Sequence, residues 1–243
     1  NINIKKKHLP SLLKIAVLQP IAYFTCETFG IQMTTASESG SIIACIPIAS
    51  LVASILFLQK KPTRFQTSGI CLTVVGVIVC VTAKGFESSF SGIGYIMLCM
   101  AVLSYSLYCV SAEKAYKTTS IEKTYVMIAC GACFFATMAI ARSIAAGTVV
   151  DLFMLPFQNT VFLFSILYLG IASSVLSFVL FNISISSIGT NKASSFVGIS
   201  TAVSVLAGVF ILDEKFSAMQ CYGTLIILLG VYIANMKSRF FWR

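Results

Sequence analysis

Three polar side chains, Gln19, Tyr23 and Glu27, recur at four-residue intervals in a strongly apolar part of the chain. At i, i+4 and i+8 they share one face of a helix. An ionised side chain is costly inside a bilayer, so such a residue usually faces a cavity or a partner. Glu27 is therefore predicted to bind a cationic or amino group of a solute, or to take up a proton during coupling. The alternative is a carboxylate near the outer interface that reaches water.

The chain also contains an internal duplication. Residues 12–81 align without a gap with residues 166–235, and hydrophobic blocks and loops coincide. Six identities lie close together: Leu58, Lys61, Gln66, Gly69, Gly76 and Val77 match Leu212, Lys215, Gln220, Gly223, Gly230 and Val231. Secondary transporters are often built from two such repeats, with the substrate near the bilayer midplane at the interface between them.

The duplication extends the predicted substrate-binding site. Ser173 and Ser177 occupy the positions that correspond to the first two residues of the polar face, as a cavity on a pseudo-two-fold axis requires. Phe181 takes the place of the acid, so the predicted site is asymmetric. Tyr105 is predicted to line the same cavity, although a single tyrosine in a membrane helix also serves as core or interface filler.

Two prolines lie within the predicted spanning segments. Pro20 and Pro47 each free a backbone carbonyl and bend a helix. The bend beside Gln19 is predicted to serve a gate, and a purely structural bend is the alternative.

The composition indicates an all-α integral membrane protein. Apolar residues make up 58% of the 243 positions, only 10% are charged, and the mean hydropathy is +0.93. A spanning helix needs about 20 mostly apolar residues. Eight such segments predict a polytopic helical bundle: 12–33, 39–58, 66–83, 92–112, 124–146, 158–181, 193–212 and 218–236.

The net charge of +9 is explained by orientation, so a nucleic-acid partner is not predicted. With the N-terminus inside, 14 of the 17 basic residues fall in cytoplasmic segments. The exceptions are Lys84, Arg142 and Lys215. The positive-inside rule therefore predicts a cell-membrane protein with both termini in the cytoplasm.

The sequence lacks the residues that several function classes need. It has no P-loop pattern for an ATP-driven pump, and one histidine, His8, in the N-terminal loop. Catalysis usually needs histidine, paired acids or a metal cluster, so no enzyme, catalytic residue or cofactor is predicted. Nine cysteines lie mostly in apolar segments, and Cys130 and Cys133 lack further ligands, so no metal site is predicted.

The repeats are predicted to be unequal. Residues 1–84 form a first, incomplete repeat, and residues 85–243 form a second repeat with two additional helices at its start. About 60 residues and two helices are therefore expected upstream, giving ten helices in two inverted repeats. A genuine eight-helix chain is the alternative. The last helix of each repeat is largely apolar and is predicted at the periphery, where a homodimer contact would form.

Several segments together resemble the EamA-like proteins of the drug/metabolite transporter superfamily. The segments are 23–27 and 34–37 (third helix and turn), 101–110 (sixth helix), 167–177 (eighth helix), and 212–230 (connection of the last two helices). Tyr105 stands where a tryptophan is common in that family, and Thr201 stands at the repeat equivalent of Pro47, where the family has a proline.

The resemblance implies a ten-helix carrier of small metabolites or drugs in a bacterial inner membrane. We expect amino-acid-like, cationic or neutral solutes, because Lys14 and Arg142 lie near the membrane edges and no basic residue is central. A nucleotide-sugar or sugar-phosphate carrier of the same superfamily, or a non-transporting membrane subunit, is the alternative.

Overall fold

The computed structural model describes residues 8–82, 91–200, 202, 203, 206 and 217–236. Within them, seven helical segments are long and apolar enough to cross a membrane, which confirms the all-α membrane fold. They are Leu9–Met33, Glu38–Leu58, Arg64–Thr82, Gly92–Lys114, Ser120–Ala146, Thr160–Ile188 and Ala218–Asn235. The predicted segment 193–212 is only partly within the described residues, so the count of eight stays a prediction.

The first spanning segment is interrupted at its centre. Helix α1 (Leu9–Ala16) passes through a π-helical segment (Val17–Ala22) into α2 (Tyr23–Met33). Gln19 leaves helical geometry, with φ −142° and ψ 117°, directly before Pro20. Proline disfavours the helical conformation in the residue that precedes it, so this bend follows from the sequence.

The second spanning segment consists of two helices. Helix α3 (Ala36–Ile43) begins with a capping box between Thr35 and Glu38, and α4 (Ile46–Leu58) follows after a turn at Ala44 and Cys45. Pro47 is therefore in the first turn of α4, where its missing N–H costs no hydrogen bond.

Three long helices and a series of shorter ones complete the described part of the chain. They are α5 (Arg64–Thr82), α6 (Gly92–Lys114), α7 (Ser120–Ala146), α8 (Val149–Gln158), α9 (Thr160–Leu167), α10 (Ser177–Ile188), α11 (Thr190–Ser195) and α12 (Ala218–Asn235). A π-helical segment, Tyr168–Leu176, joins α9 to α10. The predicted segment 158–181 thus extends to residue 188.

Helices α5 and α12 pack through glycines with their backbones in direct contact. A Cβ added at Gly69 would lie 2.6 Å from the carbonyl oxygen of Gly230, and one at Gly76 would lie 2.8 Å from that of Gly223. The glycine nearer the start of α5 contacts the one nearer the end of α12, and the later glycine of α5 contacts the earlier one of α12, so the helices are antiparallel. Gly69 corresponds to Gly223 and Gly76 to Gly230, so the contact is reciprocal, as an inverted repeat requires. The two-fold relation of the whole fold, and the homodimer, stay predictions.

The same two helices begin in the same way. At the start of α5, the backbone N–H of Thr63 donates to Gln66 Oε1 (3.1 Å) and that of Gln66 donates to Thr63 Oγ1 (3.2 Å). Ser217 and Gln220 form the equivalent capping box before α12. Both boxes satisfy N–H groups that a helix start leaves without partners.

Candidate functional site

Tyr23 and Glu27 form a hydrogen-bonded pair on α2. The Tyr23 hydroxyl donates to Glu27 Oε1 at 2.7 Å. Tyr23 is buried and Glu27 is half-buried. One helical turn separates the residues, so α2 itself sets the geometry and holds the carboxylate beside the phenol ring.

Aromatic rings from three helices form one cluster that includes Tyr23. The ring of Tyr23 meets that of Tyr105 on α6 edge to face, with centroids 5.2 Å apart. Tyr105 also contacts Tyr108 (5.7 Å) and Phe181 on α10 (5.8 Å). The structure thus brings the predicted residue Tyr105 to Tyr23, and it adds Phe181, the repeat equivalent of Glu27. Edge-to-face and tilted ring pairs of this kind are favourable.

Gln19 is almost completely buried, at 2% exposure, and its Oε1 has no hydrogen-bond partner among the described residues. The neighbouring carbonyl oxygen of Leu18 accepts a hydrogen bond from Ser104 Oγ at 2.9 Å. At the bend, the carbonyl oxygen of Leu18 thus has a hydrogen-bond donor, whereas Gln19 Oε1 has none among the described residues. A buried acceptor without a donor is unusual and indicates a place where a ligand or water can bind.

A cavity of about 250 Å³ lies beside the bend, between α2, α7 and the segment that leads into α10. Phe24 and Phe178 stack at its edge with centroids 6.3 Å apart, and they occupy equivalent positions of the two repeats. Gly131 allows α7 to pack closely against Pro20, because a Cβ at this position would lie 2.6 Å from Pro20 Cγ. The lining residues are Pro20, Phe24, Ile128, Gly131, Ala132, Phe135, Gly170, Ser174 and Phe178.

The two predicted serines lie elsewhere. Ser173 and Ser177 are exposed, whereas their neighbour Ser174 lines the cavity and donates to the carbonyl oxygen of Leu169 at 2.8 Å. That bond spans five residues, as in the wide turns of a π-helix. The wide turns rotate the following residues relative to a regular helix. Binding by Ser173 and Ser177 stays a prediction.

A buried polar network, absent from the sequence predictions, lies next to the aromatic rings. Tyr108 donates to Asn182 Oδ1 at 3.1 Å, and Asn182 Nδ2 donates to Thr124 Oγ1 at 3.1 Å. All three residues are buried, and they join α6, α7 and α10. The predicted helix ended at Phe181, one residue too early to include Asn182. In the sequence, the amide side chain of Asn182 directly after an apolar run was the feature that could have indicated this network.

Lys123 also differs from expectation. The apolar pattern begins at residue 124, which leaves Lys123 in a cytoplasmic segment, yet Lys123 is 1% exposed within α7. Its ammonium donates to the carbonyl oxygen of Ala112 at 2.7 Å and to Ser186 Oγ at 3.4 Å. It does not line the cavity beside Pro20, so it supplies no positive charge there.

Helix α6 is tied to the second spanning segment along its whole length. The hydroxyl of Tyr95 donates to Glu38 at one end, Ser50 Oγ donates to Ser106 Oγ at 3.3 Å in the middle, and Lys60 pairs with Glu113 at the other end. These three contacts hold α6 in place, and Tyr105 with it.

The described residues contain no group of three or more His, Cys, Asp or Glu side chains that could hold a metal ion. The face of α2 offers a carboxylate, an amide oxygen and aromatic rings, and its residues Pro20 and Phe24 line the adjoining apolar cavity. Such groups can form hydrogen bonds, an ion pair and ring contacts with a solute.

The chain matches the EamA-like transporter family over residues 1–82 and 92–236. It is 33% identical over 238 residues to the uncharacterized transporter YcxC of Bacillus subtilis (strain 168), covering 97% of this chain and 76% of that protein. It is 23% identical over 235 residues to an uncharacterized transporter of Archaeoglobus fulgidus, covering 96% and 80%. A solved crystal structure matches over 93% of this chain and 76% of its own, with a TM-score of 0.73 and 14% identity, a likeness of fold alone.

Proposed function

Because the chain belongs to the EamA-like transporter family, we propose that it is a secondary transporter that moves small solutes across the cytoplasmic membrane by alternating access. Its fold is that of a multi-pass membrane protein. The proposed solutes are amino-acid-like, cationic or neutral. The proposed site is the face of α2 that carries Gln19, Tyr23 and Glu27, together with Tyr105 and the cavity beside Pro20.

The Tyr23–Glu27 pair is the observation that carries this proposal. The other acids of the described spanning segments, Glu38, Glu113 and Glu122, lie at the ends of those segments. Glu27 lies six residues inside its segment, about 9 Å along a helix axis. A half-buried carboxylate at this depth, one helical turn from Phe24 of the cavity lining, supports a role in binding a solute or a proton, because its burial without function would be a net cost.

The test is transport by the full-length protein reconstituted in vesicles. A panel of radiolabelled amino acids, amines and sugar phosphates is offered with and without an imposed proton gradient. We expect Glu27→Gln to lower flux by about tenfold or more, equivalent to about 1.4 kcal/mol of lost interaction. Glu122→Gln is the matched control, because glutamine also completes a capping box and should leave flux unchanged.

The dependence on the gradient separates two mechanisms. Flux that follows the proton gradient and loses this dependence in Glu27→Gln would support proton coupling at Glu27. Equal flux in wild type and Glu27→Gln would remove Glu27 from the site. A protein that moves no member of the panel, although it folds and reconstitutes, would contradict the transporter proposal and favour a non-transporting subunit.

A further inference from the structure

The groups around Glu27 match the chemistry of an ammonium ion. The carboxylate is beside the ring of Tyr23, whose neighbours are Phe24 (centroids 5.3 Å apart) and Tyr105 (5.2 Å). An ammonium gains from the opposite charge and also from the electron-rich faces of aromatic rings, most strongly where water is excluded. A neutral solute would gain neither contribution.

Gln19 Oε1, the hydrogen-bond acceptor at the bend, suits the same ammonium ligand. Gln19 Oε1 is buried and has no donor within the described part of the chain. An ammonium carries three N–H donors. A ligand that lies along the face shared by Gln19, Tyr23 and Glu27 could therefore donate to the Gln19 oxygen. The Gln19 oxygen and the Glu27 carboxylate are both acceptors, so a ligand that has only acceptors is poorly matched.

The cavity beside Pro20 suits an apolar body. Its volume of about 250 Å³ exceeds the roughly 150 Å³ that suffices for a benzene molecule in an apolar cavity. The rings of Phe24 and Phe178 stack at its edge. Phe24 connects the two parts of the site, because its ring contacts Tyr23 on one side and lines this cavity on the other.

A carboxylate on the ligand would have no cationic partner within the part of this site that the structure describes. Among the described residues, no lysine, arginine or histidine lines this cavity. Lys14 and Arg142 are exposed, Lys60 pairs with Glu113, and the Lys123 ammonium bonds to Ala112 and Ser186. A desolvated carboxylate without a cation is strongly disfavoured, and Glu27 would also repel it.

We propose that this site selects small organic amines with an aromatic or apolar body over the corresponding amino acids. The inference rests on the proposed transport function and narrows its substrate class. The amine binds to Glu27 and Gln19, the aromatic body fills the cavity beside Pro20, and the additional carboxylate of an amino acid is the feature that is rejected.

The test is binding to the purified full-length protein in detergent, so that it does not depend on flux. The probes share one body: phenethylamine, phenylalanine and 2-phenylethanol. We expect phenethylamine to bind at least about tenfold more tightly than either of the others. Equal or tighter binding of phenylalanine would overturn the proposal, and so would equal binding of 2-phenylethanol.

Two variants assign the parts of the ligand to parts of the site. Glu27→Gln should weaken phenethylamine binding by about tenfold while leaving 2-phenylethanol unchanged. Phe178→Ala should weaken phenethylamine more than ethylamine, because only the former fills the cavity. Phe157→Ala, at a side chain that is 87% exposed, is the control. Equal loss of both amines in Phe178→Ala would contradict the assignment of the body.

Flux measurements keep the two proposals distinguishable. Selective binding of phenethylamine without transport of any solute would contradict the transporter proposal and leave the binding inference intact. Transport that prefers phenylalanine would support the transporter and overturn the amine selectivity.

Discussion

Helices α5 and α12 and the region around Tyr23 fill space in opposite ways. In the helix pair, glycines bring two backbones into contact and leave no room for a single Cβ. Around Tyr23, large rings from α2, α6 and α10 meet at their edges, and a cavity of about 250 Å³ remains beside them.

The difference in packing indicates which part of the molecule is held in a single arrangement. Close backbone packing is stable in one arrangement, because small displacements produce clashes. Ring edges and an unfilled cavity permit several arrangements of similar energy. We infer that the α5–α12 pair is a fixed support and that rearrangement during transport takes place around α2, α7 and α10.

The largest effect is expected from a methyl group in the glycine contact. In Gly69→Ala, the new Cβ would lie 2.6 Å from the Gly230 carbonyl oxygen, so the helices must separate. Overpacking of this kind costs about 1–3 kcal/mol, and here the obstacle is backbone that cannot turn aside. Thermal unfolding in detergent should show a clear loss of stability.

Gly92→Ala is the matched control for that change, since nothing lies within 4 Å of its added Cβ. An equally stable Gly69→Ala protein would contradict the fixed support. Retained stability with lost transport would place movement in this helix pair after all.

An intermediate effect is expected from the buried network beside the rings. Asn182→Leu leaves the Tyr108 hydroxyl without its acceptor, at a cost of about 1–3 kcal/mol. Adding Tyr108→Phe to this variant removes the hydroxyl that has lost its acceptor, so part of the lost stability should return. Unfolding of the two single variants and the double variant measures the coupling. Strictly additive losses would mean that the bond contributes nothing.

The smallest effect is expected at the end of α6. The Lys60 side chain is 48% exposed, and an ion pair open to solvent contributes about 0–1 kcal/mol. Lys60→Met should therefore change stability little, and the change should fade in high salt. A large loss of stability that persists in high salt would show that this ion pair contributes more to the packing of α6 than its exposure indicates.

The sequence predicted the spanning helices because hydropathy and length decide them. It missed the end of the segment that reaches residue 188, because Asn182, Ser184, Ser186 and Ser187 break the apolar run although α10 continues. The apolar pattern also begins its fifth segment at residue 124, directly after Lys123, although α7 begins at Ser120 and Lys123 is buried in it. Buried acceptors such as the Ala112 carbonyl oxygen, which make its burial tolerable, belong to the folded state.

The site was predictable only where helices are regular. The i, i+4 spacing placed Tyr23 and Glu27 on one face of α2, and they are hydrogen-bonded there. The correspondence between the repeats singled out Ser173 and Ser177, and the structure shows in addition that Ser174, within a π-helical segment, lines the cavity. Nothing in the apolar pattern marks such wide turns, so the cavity could not have been derived from spacing.

The matching capping boxes of α5 and α12 have a consequence for how such a protein is inserted and how it evolves. Antiparallel helices enter the bilayer from opposite sides, yet Thr63–Gln66 and Ser217–Gln220 begin them with the same four-residue signal. The start of a helix is thus encoded independently of its direction. Direction then depends on flanking charges such as Lys60, Lys61 and Arg64. A helix start of this kind can therefore serve in either orientation without any change to its capping residues.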